Sequence, residues 1–214
     1  TPNEACVMAT APAEGGFTMI CETTAGVENI PGTMPDIELG ASGASLGEGS
    51  AIGIALLGAP RANSGAGGIF RVVDARGPSE IVLPSGTAPP SSRLGTNIAL
   101  ATLDATRALV AATAPEAGRV VVLTVADDGS ATIHACIDDA AAGFAGSVAI
   151  GDVDGDGMPD VVIGNAAVGA DEIRIYSGDA MPASGCGPWG SPPTVLACPS
   201  IEGIGCADSG FGMA

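Results

Sequence analysis

The sequence predicts an all-β fold, and three observations support this prediction. Glycine accounts for 33 and proline for 16 of the 214 residues, which suits many short strands joined by tight turns. Aromatic residues make up only 3% of the chain and charged residues 14%. The third observation is a sequence pattern that recurs about every fifty residues. Long helices are therefore not expected.

The recurring pattern consists of a hydrophobic residue followed by glycine, an apolar strand, a loop, and a second strand that ends in Gly-Ala-Pro or a similar sequence. Copies start at residues 46, 94 and 144, and residues 211–214 have the sequence of a further start. Periods of this length are typical of propellers, solenoids and arrays. Because each copy offers about four strand candidates, the four-stranded blades of a β-propeller are favoured over a solenoid.

The pattern divides the chain into five segments. Residues 1–45 do not show it cleanly and are interpreted as a degenerate blade or as a strand that closes a ring. The remaining segments are a blade without a metal loop (46–93), a blade with a degenerate loop (94–143), a metal-binding blade with a Cys-rich insertion (144–210) and the start of the next blade (211–214). Residues 105–114 are rich in alanine and favour helix by propensity, but the register of the repeat predicts a strand there. Three blades would leave sheet edges exposed, so we expect the chain to be part of a larger propeller or to be completed by another copy.

The third copy contains a candidate calcium site in residues 151–160, with the sequence GDVDGDGMPD. Calcium prefers six to eight oxygen ligands, and a loop that offers side chains at positions 1, 3, 5 and 9 and a carbonyl at position 7 supplies most of them. The predicted ligands are Asp152, Asp154, Asp156, the main-chain carbonyl of Met158, and Asp160.

The beginning of this loop also matches an EF-hand, but its end does not. An EF-hand needs a bidentate glutamate at position 12, where this chain has Ile163. The flanking runs, residues 147–150 and 161–163, are short and β-branched, which is typical of strands. The sequence therefore predicts that calcium lies in a β-hairpin. The loop of the first copy is interpreted as deleted, and that of the second keeps only Asp104, beside Arg107, so no calcium is expected in either.

Charge and composition exclude some partners. The chain carries 24 acidic residues against seven arginines and no lysine, with a formal net charge of -17, which repels nucleic acids and anionic membranes. There is no run of 18 apolar residues, so membrane insertion is not expected. The start at Thr1, without an apolar leader, suits a processed or excerpted product.

Six cysteines without zinc-like spacing favour disulfides and a location outside the cytosol. Fifteen pairings are possible. Short, turn-rich intervening segments favour Cys6 with Cys21 and Cys186 with Cys198, which would leave Cys136 for Cys206.

Taken together, the Phe/Leu-Gly opening, the acidic loop and the Gly-Ala-Pro closing resemble the FG-GAP repeats of the integrin alpha-chain β-propeller family. The resemblance covers residues 46–214 and is strongest over 144–178. It implies a propeller of about seven blades, calcium in hairpin loops, secretion, and a role in adhesion or ligand binding.

Other chemistry is less well supported. Residues 43–47 match the G-x-S-x-G pattern of a hydrolase, but no strand–turn–helix context is predicted. The one histidine, His134, is expected at an exposed position of an outer strand, and the carboxylate pairs at 127–128 and 138–139 are interpreted as turn residues. Trp189 is expected to pack over the disulfides, with a recognition loop as the alternative.

The sequence thus predicts a non-catalytic, secreted or cell-surface, calcium-binding β-propeller module for adhesion, ligand binding or extracellular assembly. Its expected partners are an extracellular protein, a glycan, or further copies of itself. The alternative is a propeller within a secreted enzyme that acts on polysaccharide or lipid, with catalytic residues outside this chain.

Overall fold

The structure is a computed structural model, and it describes residues 5–11, 16–23, 26–31, 37–46, 54–72, 78–139, 144–167 and 170–197. These residues form fifteen β-strands in four antiparallel sheets, and helix is confined among them to three short 3-10 turns. The all-β prediction is therefore confirmed. No helix in the described part of the chain is long and apolar enough to cross a membrane.

Each sheet is a meander in which consecutive strands pair in chain order. The N-terminal sheet has three strands, and sheets I, II and III have four each. The strands of the N-terminal sheet are β1 (Ala5–Ala11), β2 (Gly16–Thr23) and β3 (Gly26–Pro31). Those of sheet I are β4 (Ser42–Leu46), β5 (Ile54–Gly58), β6 (Ile69–Val72) and β7 (Pro78–Glu80). Those of sheet II are β8 (Ile98–Thr102), β9 (Arg107–Ala114), β10 (Arg119–Ala126) and β11 (Ala131–Asp138). Those of sheet III are β12 (Ser147–Gly151), β13 (Asp160–Ala167), β14 (Ala170–Tyr176) and β15 (Thr194–Ala197).

The alanine-rich segment is a strand, as the repeat register predicts. In β9 every residue after Arg107 is buried, and the strand is paired on both sides, with β8 and with β10. Pairing and burial from both faces therefore override the helix propensity of alanine.

Sheet II lies face to face between sheets I and III. One core cluster joins sheets I and II and includes Leu56, Val110 and Val121. A second joins sheets II and III and includes Val122 and Ile163. The first strand of sheet II, β8, contacts the first strands of both neighbours, β4 and β12. The first strands of three successive sheets thus lie side by side.

The repeat register in sheet I differs from the prediction. Gly40 N–H donates to the Gly58 carbonyl (2.8 Å), and Gly95 N–H donates to the Thr113 carbonyl in the same way (2.9 Å). The opening of the first copy is therefore Leu39-Gly40, and not Leu46-Gly47, which falls at the end of β4. Sheet I contains residues on both sides of the boundary predicted at residue 46. Because β4 is rich in glycine and serine, its sequence alone does not predict a strand.

The predicted disulfide pattern was wrong in the Cys-rich insertion. Cys136 in β11 is bonded to Cys186 in the segment that follows β14, so neither can pair with Cys198 or Cys206, which lie outside the described residues. In the N-terminal sheet, the register sets Cys6 opposite Cys21 on adjacent strands, which is compatible with the pairing expected for them.

The same insertion covers the outer edge of sheet II. Gly185 N–H donates to the Ile133 carbonyl (2.7 Å), and Cys136 N–H donates to the Gly187 carbonyl (3.2 Å). An uncovered β11 would present unpaired main-chain groups to other chains. The segment between β14 and β15 of sheet III therefore forms hydrogen bonds with the edge strand of sheet II. The disulfide between Cys136 and Cys186 also links the two sheets covalently.

Candidate metal centre

The acidic loop connects β12 and β13, and its two ends are register partners, Gly151 opposite Asp160. Strands on both sides confirm the predicted hairpin and exclude the helices of an EF-hand. The loop turns through two glycines with positive φ, Gly155 (+81°) and Gly157 (+88°), at which an added Cβ would meet no atom within 4 Å. Glycine is therefore favoured at these two positions because of the positive φ, and not because neighbouring atoms leave no room for a side chain.

Three of the predicted ligands converge. Carboxylate oxygens of Asp152, Asp154 and Asp156 lie within 4.8 Å of one another, and all three residues are exposed. At that separation each pair of like charges repels by roughly 1 kcal/mol even at the dielectric constant of water. Such a cluster of hard oxygen donors fits a calcium ion, which takes carboxylate ligands in flexible geometry.

Main-chain N–H groups hold these carboxylates in place. Asp152 accepts from the amides of Gly155 (2.8 Å) and Gly157 (3.0 Å) through its two different oxygens. Asp154 accepts from the amide of Asp156 (3.1 Å), and Asp156 from that of Met158 (2.7 Å). The loop is thus wound around its own acidic side chains, and these hydrogen bonds fix the positions of the carboxylates.

Asp160 has a different environment from the other three aspartates. Its side chain is buried (1% exposed), and its two oxygens accept from the amides of Val153 (2.8 Å) and Gly178 (2.9 Å). It therefore anchors the loop to the turn after β14 and lies outside the cluster of three. Met158, predicted to contribute its carbonyl, is 39% exposed on the loop surface.

No described arginine is paired with the three clustered aspartates. The chain has no lysine, and the arginines that the structure describes interact with other groups. These partners are Glu38 for Arg61 and Arg93, the Asp127 carbonyl for Arg71, Asp104 for Arg107, Asp138 for Arg119, and Asp139 with Glu172 for Arg174. The six arginines that the structure describes are thus paired with other groups and do not neutralise the loop.

The corresponding hairpin of sheet II, between β8 and β9, carries its own cation. The Arg107 guanidinium lies 2.7 Å (Nε) and 2.6 Å (Nη2) from Asp104 Oδ2, and the Thr106 amide donates to the other oxygen. These contacts, led by the hydrogen bond from Arg107, lower the pKa of the Asp104 carboxyl to about 2. The expectation that this loop binds no calcium stays a prediction, and the paired arginine supports it.

In sheet I the interpretation of a deleted loop was wrong. With the opening at Leu39, the first copy has the same length from Leu39 to Pro60 as the second has from Leu94 to Pro115. The connection between β4 and β5 is formed by residues 47–53, which lie outside the described residues and contain one acid, Glu48. The first copy therefore has a loop as long as that of the second copy, with one acidic residue in it.

The expected exposure of His134 was also wrong. This residue is 8% exposed, its Nδ1 donates to the Pro182 carbonyl (2.8 Å), and its Nε2 lies 3.2 Å from Thr124 Oγ1. It is buried because the insertion covers β11, which the local alternation of β11 could not reveal. Ser45 of the G-x-S-x-G pattern lies inside β4 and not at a strand-to-helix turn.

Trp189 has a packing position. Its ring meets Tyr176 edge to face with centroids 5.7 Å apart, and its Nε1–H donates to the Ser177 carbonyl (2.9 Å). It is 8% exposed and belongs to the core between sheets II and III. Trp189 is thus buried as expected, with Tyr176 as its described ring contact, and its packing over the disulfides stays a prediction.

The carboxylate pairs lie where strands end. Asp128 accepts from the Ser130 amide (2.8 Å) in the turn between β10 and β11, and hydrogen bonds with Ser130 lower the pKa of its carboxyl. Asp138 and Asp139 form ion pairs with Arg119 and Arg174 at the end of β11.

Comparison with models of protein families identifies a known repeat in the chain. The family model of the FG-GAP repeat matches residues 144–177, which span β12, the acidic hairpin, β13 and β14. No curated protein matches the chain. The segment that carries the aspartate cluster, residues 144–177, therefore matches the FG-GAP repeat.

Proposed function

We propose that the chain is a non-catalytic, calcium-binding β-propeller module that works outside the cytosol by binding another molecule. The observation that carries this proposal is the convergence of Asp152, Asp154 and Asp156 within 4.8 Å on the first hairpin of an FG-GAP repeat.

The arrangement of the sheets supports a propeller. Four-stranded meanders stacked face to face, with their first strands side by side, are what blades around a common axis require. The cores between sheets I and II and between sheets II and III are formed by opposite faces of sheet II, as expected for a blade with a neighbour on each side.

The role proposed for calcium is structural. The proposed ligands are Asp152, Asp154, Asp156 and the carbonyl of Met158, while Asp160, which the sequence also predicts as a ligand, anchors the loop to the turn after β14 through both of its oxygens. A bound ion offsets the repulsion among the exposed carboxylates and fixes the hairpin, so the free energy of binding adds to the free energy of unfolding. An affinity in the extracellular range, with Kd about 0.1–1 mM, suffices.

The disulfide supports a location outside the cytosol, because such bonds persist in oxidising compartments. The positions of Ser45 within a strand and of His134 in a buried, hydrogen-bonded site offer no support for hydrolysis. A binding role in adhesion or extracellular assembly, with a protein, a glycan or other copies as partner, suits the FG-GAP repeat and the acidic surface.

The test is thermal unfolding at 10 mM calcium and in chelator. With the affinity above, calcium adds about 1.4–2.7 kcal/mol, which raises Tm by about 3–10 °C for a domain of this size. Magnesium at the same concentration is expected to do less, because it keeps its waters and demands octahedral geometry.

Asp154→Asn is expected to reduce the calcium-dependent rise in Tm. The matched control is Asp128→Asn, since Asp128 is also an exposed turn aspartate that accepts a main-chain amide two residues on. If calcium left Tm unchanged, or if both variants responded alike, the metal site would be wrong.

A further inference from the structure

The outer edges of sheets I and II are protected against pairing with another chain. The outer strand of sheet I, β7, begins at Pro78 and ends at the exposed Glu80. The outer strand of sheet II, β11, is covered by the insertion, in which Gly185 and Gly187 are hydrogen-bonded to it. Proline, charge and a covering segment are features by which natural sheets keep their edges from pairing with other strands.

The outer strand of sheet III, β15, lacks this protection. It pairs with β14 on one side, and no strand pairs with its other side in the described part of the chain. Its sequence, TVLA, contains neither proline nor a charged residue. All four residues are exposed, including Val195 (48%) and Leu196 (47%). The strand therefore offers main-chain donors and acceptors beside two exposed apolar side chains, an arrangement that suits the addition of another strand.

The arrangement of the sheets places β15 at the periphery of the molecule. The first strands of sheets I, II and III lie side by side. Because each sheet is a meander, its last strand is the one farthest from its first strand. In the propeller proposed above, β15 therefore lies on the outer rim, where a second molecule can reach it.

The distribution of charge favours a second copy of this chain as the partner. A net charge of -17 makes two copies repel each other. Residues 180–201, which include β15, contain no charged residue and are the longest such stretch in the chain. A cationic partner would be attracted to the acidic remainder of the surface and not to this stretch. The uncharged edge is therefore where two copies can approach each other with the least repulsion.

We propose that β15 pairs antiparallel with β15 of a second copy, so that sheet III continues across a two-fold axis. This proposal rests on the binding role proposed above and names its partner and surface. In an antiparallel pair, two opposite residues turn their N–H groups either both toward the partner strand or both away from it. The axis therefore passes beside a residue that faces its own copy, which in the middle of this strand is Val195 or Leu196. Because only four residues of each chain pair, the interface is small and the dimer is weak.

The test is sedimentation equilibrium of the chain over a wide range of protein concentration. The average mass is expected to rise toward that of two chains. Added sodium chloride should strengthen the association, because salt screens the repulsion between the copies while the paired edges carry no charge. A complex held together by ion pairs would be weakened by salt instead. The mass of a single chain at every concentration, or dissociation by salt, would overturn the proposal.

A lysine on the edge strand should block the pairing. Leu196→Lys is expected to weaken the association by about tenfold or more, because both copies carry the added charge and the two lysines face the same junction. The matched control is Val82→Lys, which changes the net charge equally. Val82 is 87% exposed and lies outside the strands, so this variant should associate like the unchanged chain. Equal association of the two variants would contradict the pairing through β15.

Amide hydrogen exchange provides a second measurement, which needs no substitution. Alternate residues of a strand turn their N–H groups to the same side, so a high protein concentration should slow exchange at every second residue of β15. The amides of β11 should keep their rates, because the insertion covers that edge. Exchange in β15 that does not depend on concentration would overturn the proposal. Both measurements are made with calcium and in chelator: association without a calcium-dependent rise in Tm refutes only the metal site, and such a rise without association refutes only the pairing of β15.

Discussion

Gly95 lies where the opening turn of sheet II crosses sheet I, and its replacement by alanine is expected to cost about 2–5 kcal/mol. Its φ is +90°, a conformation that costs an L-residue about 1–2 kcal/mol. An added Cβ would lie 2.5 Å from the Gly68 carbonyl oxygen and 3.0 Å from the Gly58 Cα. Because both contacts are with backbone, sheet I must shift, and overpacking of this kind costs about 1–3 kcal/mol.

Gly86→Ala is the matched control, since Gly86 has nearly the same φ, +88°, and no atom within 4 Å of an added Cβ. It should lose only the conformational part, about 1–2 kcal/mol. Urea unfolding followed by the fluorescence of Trp189, the only tryptophan, measures both variants. If Gly95→Ala lost no more than Gly86→Ala, the close approach of sheets I and II at this turn would be wrong.

Two further predictions concern the disulfide and the arginine-paired loop. The double variant Cys136→Ser, Cys186→Ser should lower the free energy of unfolding by about 2–4 kcal/mol, because the disulfide links residues with a sequence separation of 50. An unchanged midpoint of urea unfolding would contradict this prediction. Arg107→Ala should raise the pKa of Asp104 from about 2 toward its ordinary value of 3.8, as measured by NMR of the carboxyl carbon. Since the folded-state pKa is lowered, the pair stabilises the protein above pH 4 and its contribution is lost as the pH falls toward 2, so the variant should be less sensitive to acid in that window. An Asp104 titration unaffected by Arg107→Ala would show that other contacts hold its pKa down.

The sequence predicts those parts of the fold in which the residue types present are compatible with one local structure. The glycines and aspartates of residues 151–160 suit a tight acidic hairpin and little else, so the hairpin and its cluster of carboxylates are predictable from spacing alone, while calcium binding there stays a prediction. The strand at Arg107–Ala114 required the repeat register, because the preference of alanine for helix is overridden only by pairing on both sides of the strand.

The parts that sequence could not predict depend on contacts between distant segments. The strand Ser42–Leu46 has little β propensity and is held in place by its pairing with β5. The start of the first copy predicted from the sequence, residue 46, is therefore seven residues later than the opening in the structure, Leu39. The burial of His134 and the bond between Cys136 and Cys186 both follow from one insertion that returns to the edge of another sheet. The sequence nevertheless contained evidence for the strand β1 near the N-terminus. Residues 5–15 are identical to residues 108–118, which include most of β9, at seven of eleven positions.

The first hairpins of sheets II and III show two ways of holding the same turn. The second strand of sheet II begins at Arg107, which pairs with Asp104 of the same hairpin, whereas the second strand of sheet III begins at Asp160. In sheet II one aspartate faces one arginine and the hairpin is neutral. In sheet III four aspartates between residues 152 and 160 have no described arginine as partner, and the anchoring of Asp160 by two amides leaves three exposed carboxylates together. The first hairpin of sheet II thus supplies its own counter-charge, whereas that of sheet III has no described arginine to do so, which is why we expect only the latter to be stabilised by a cation from solution.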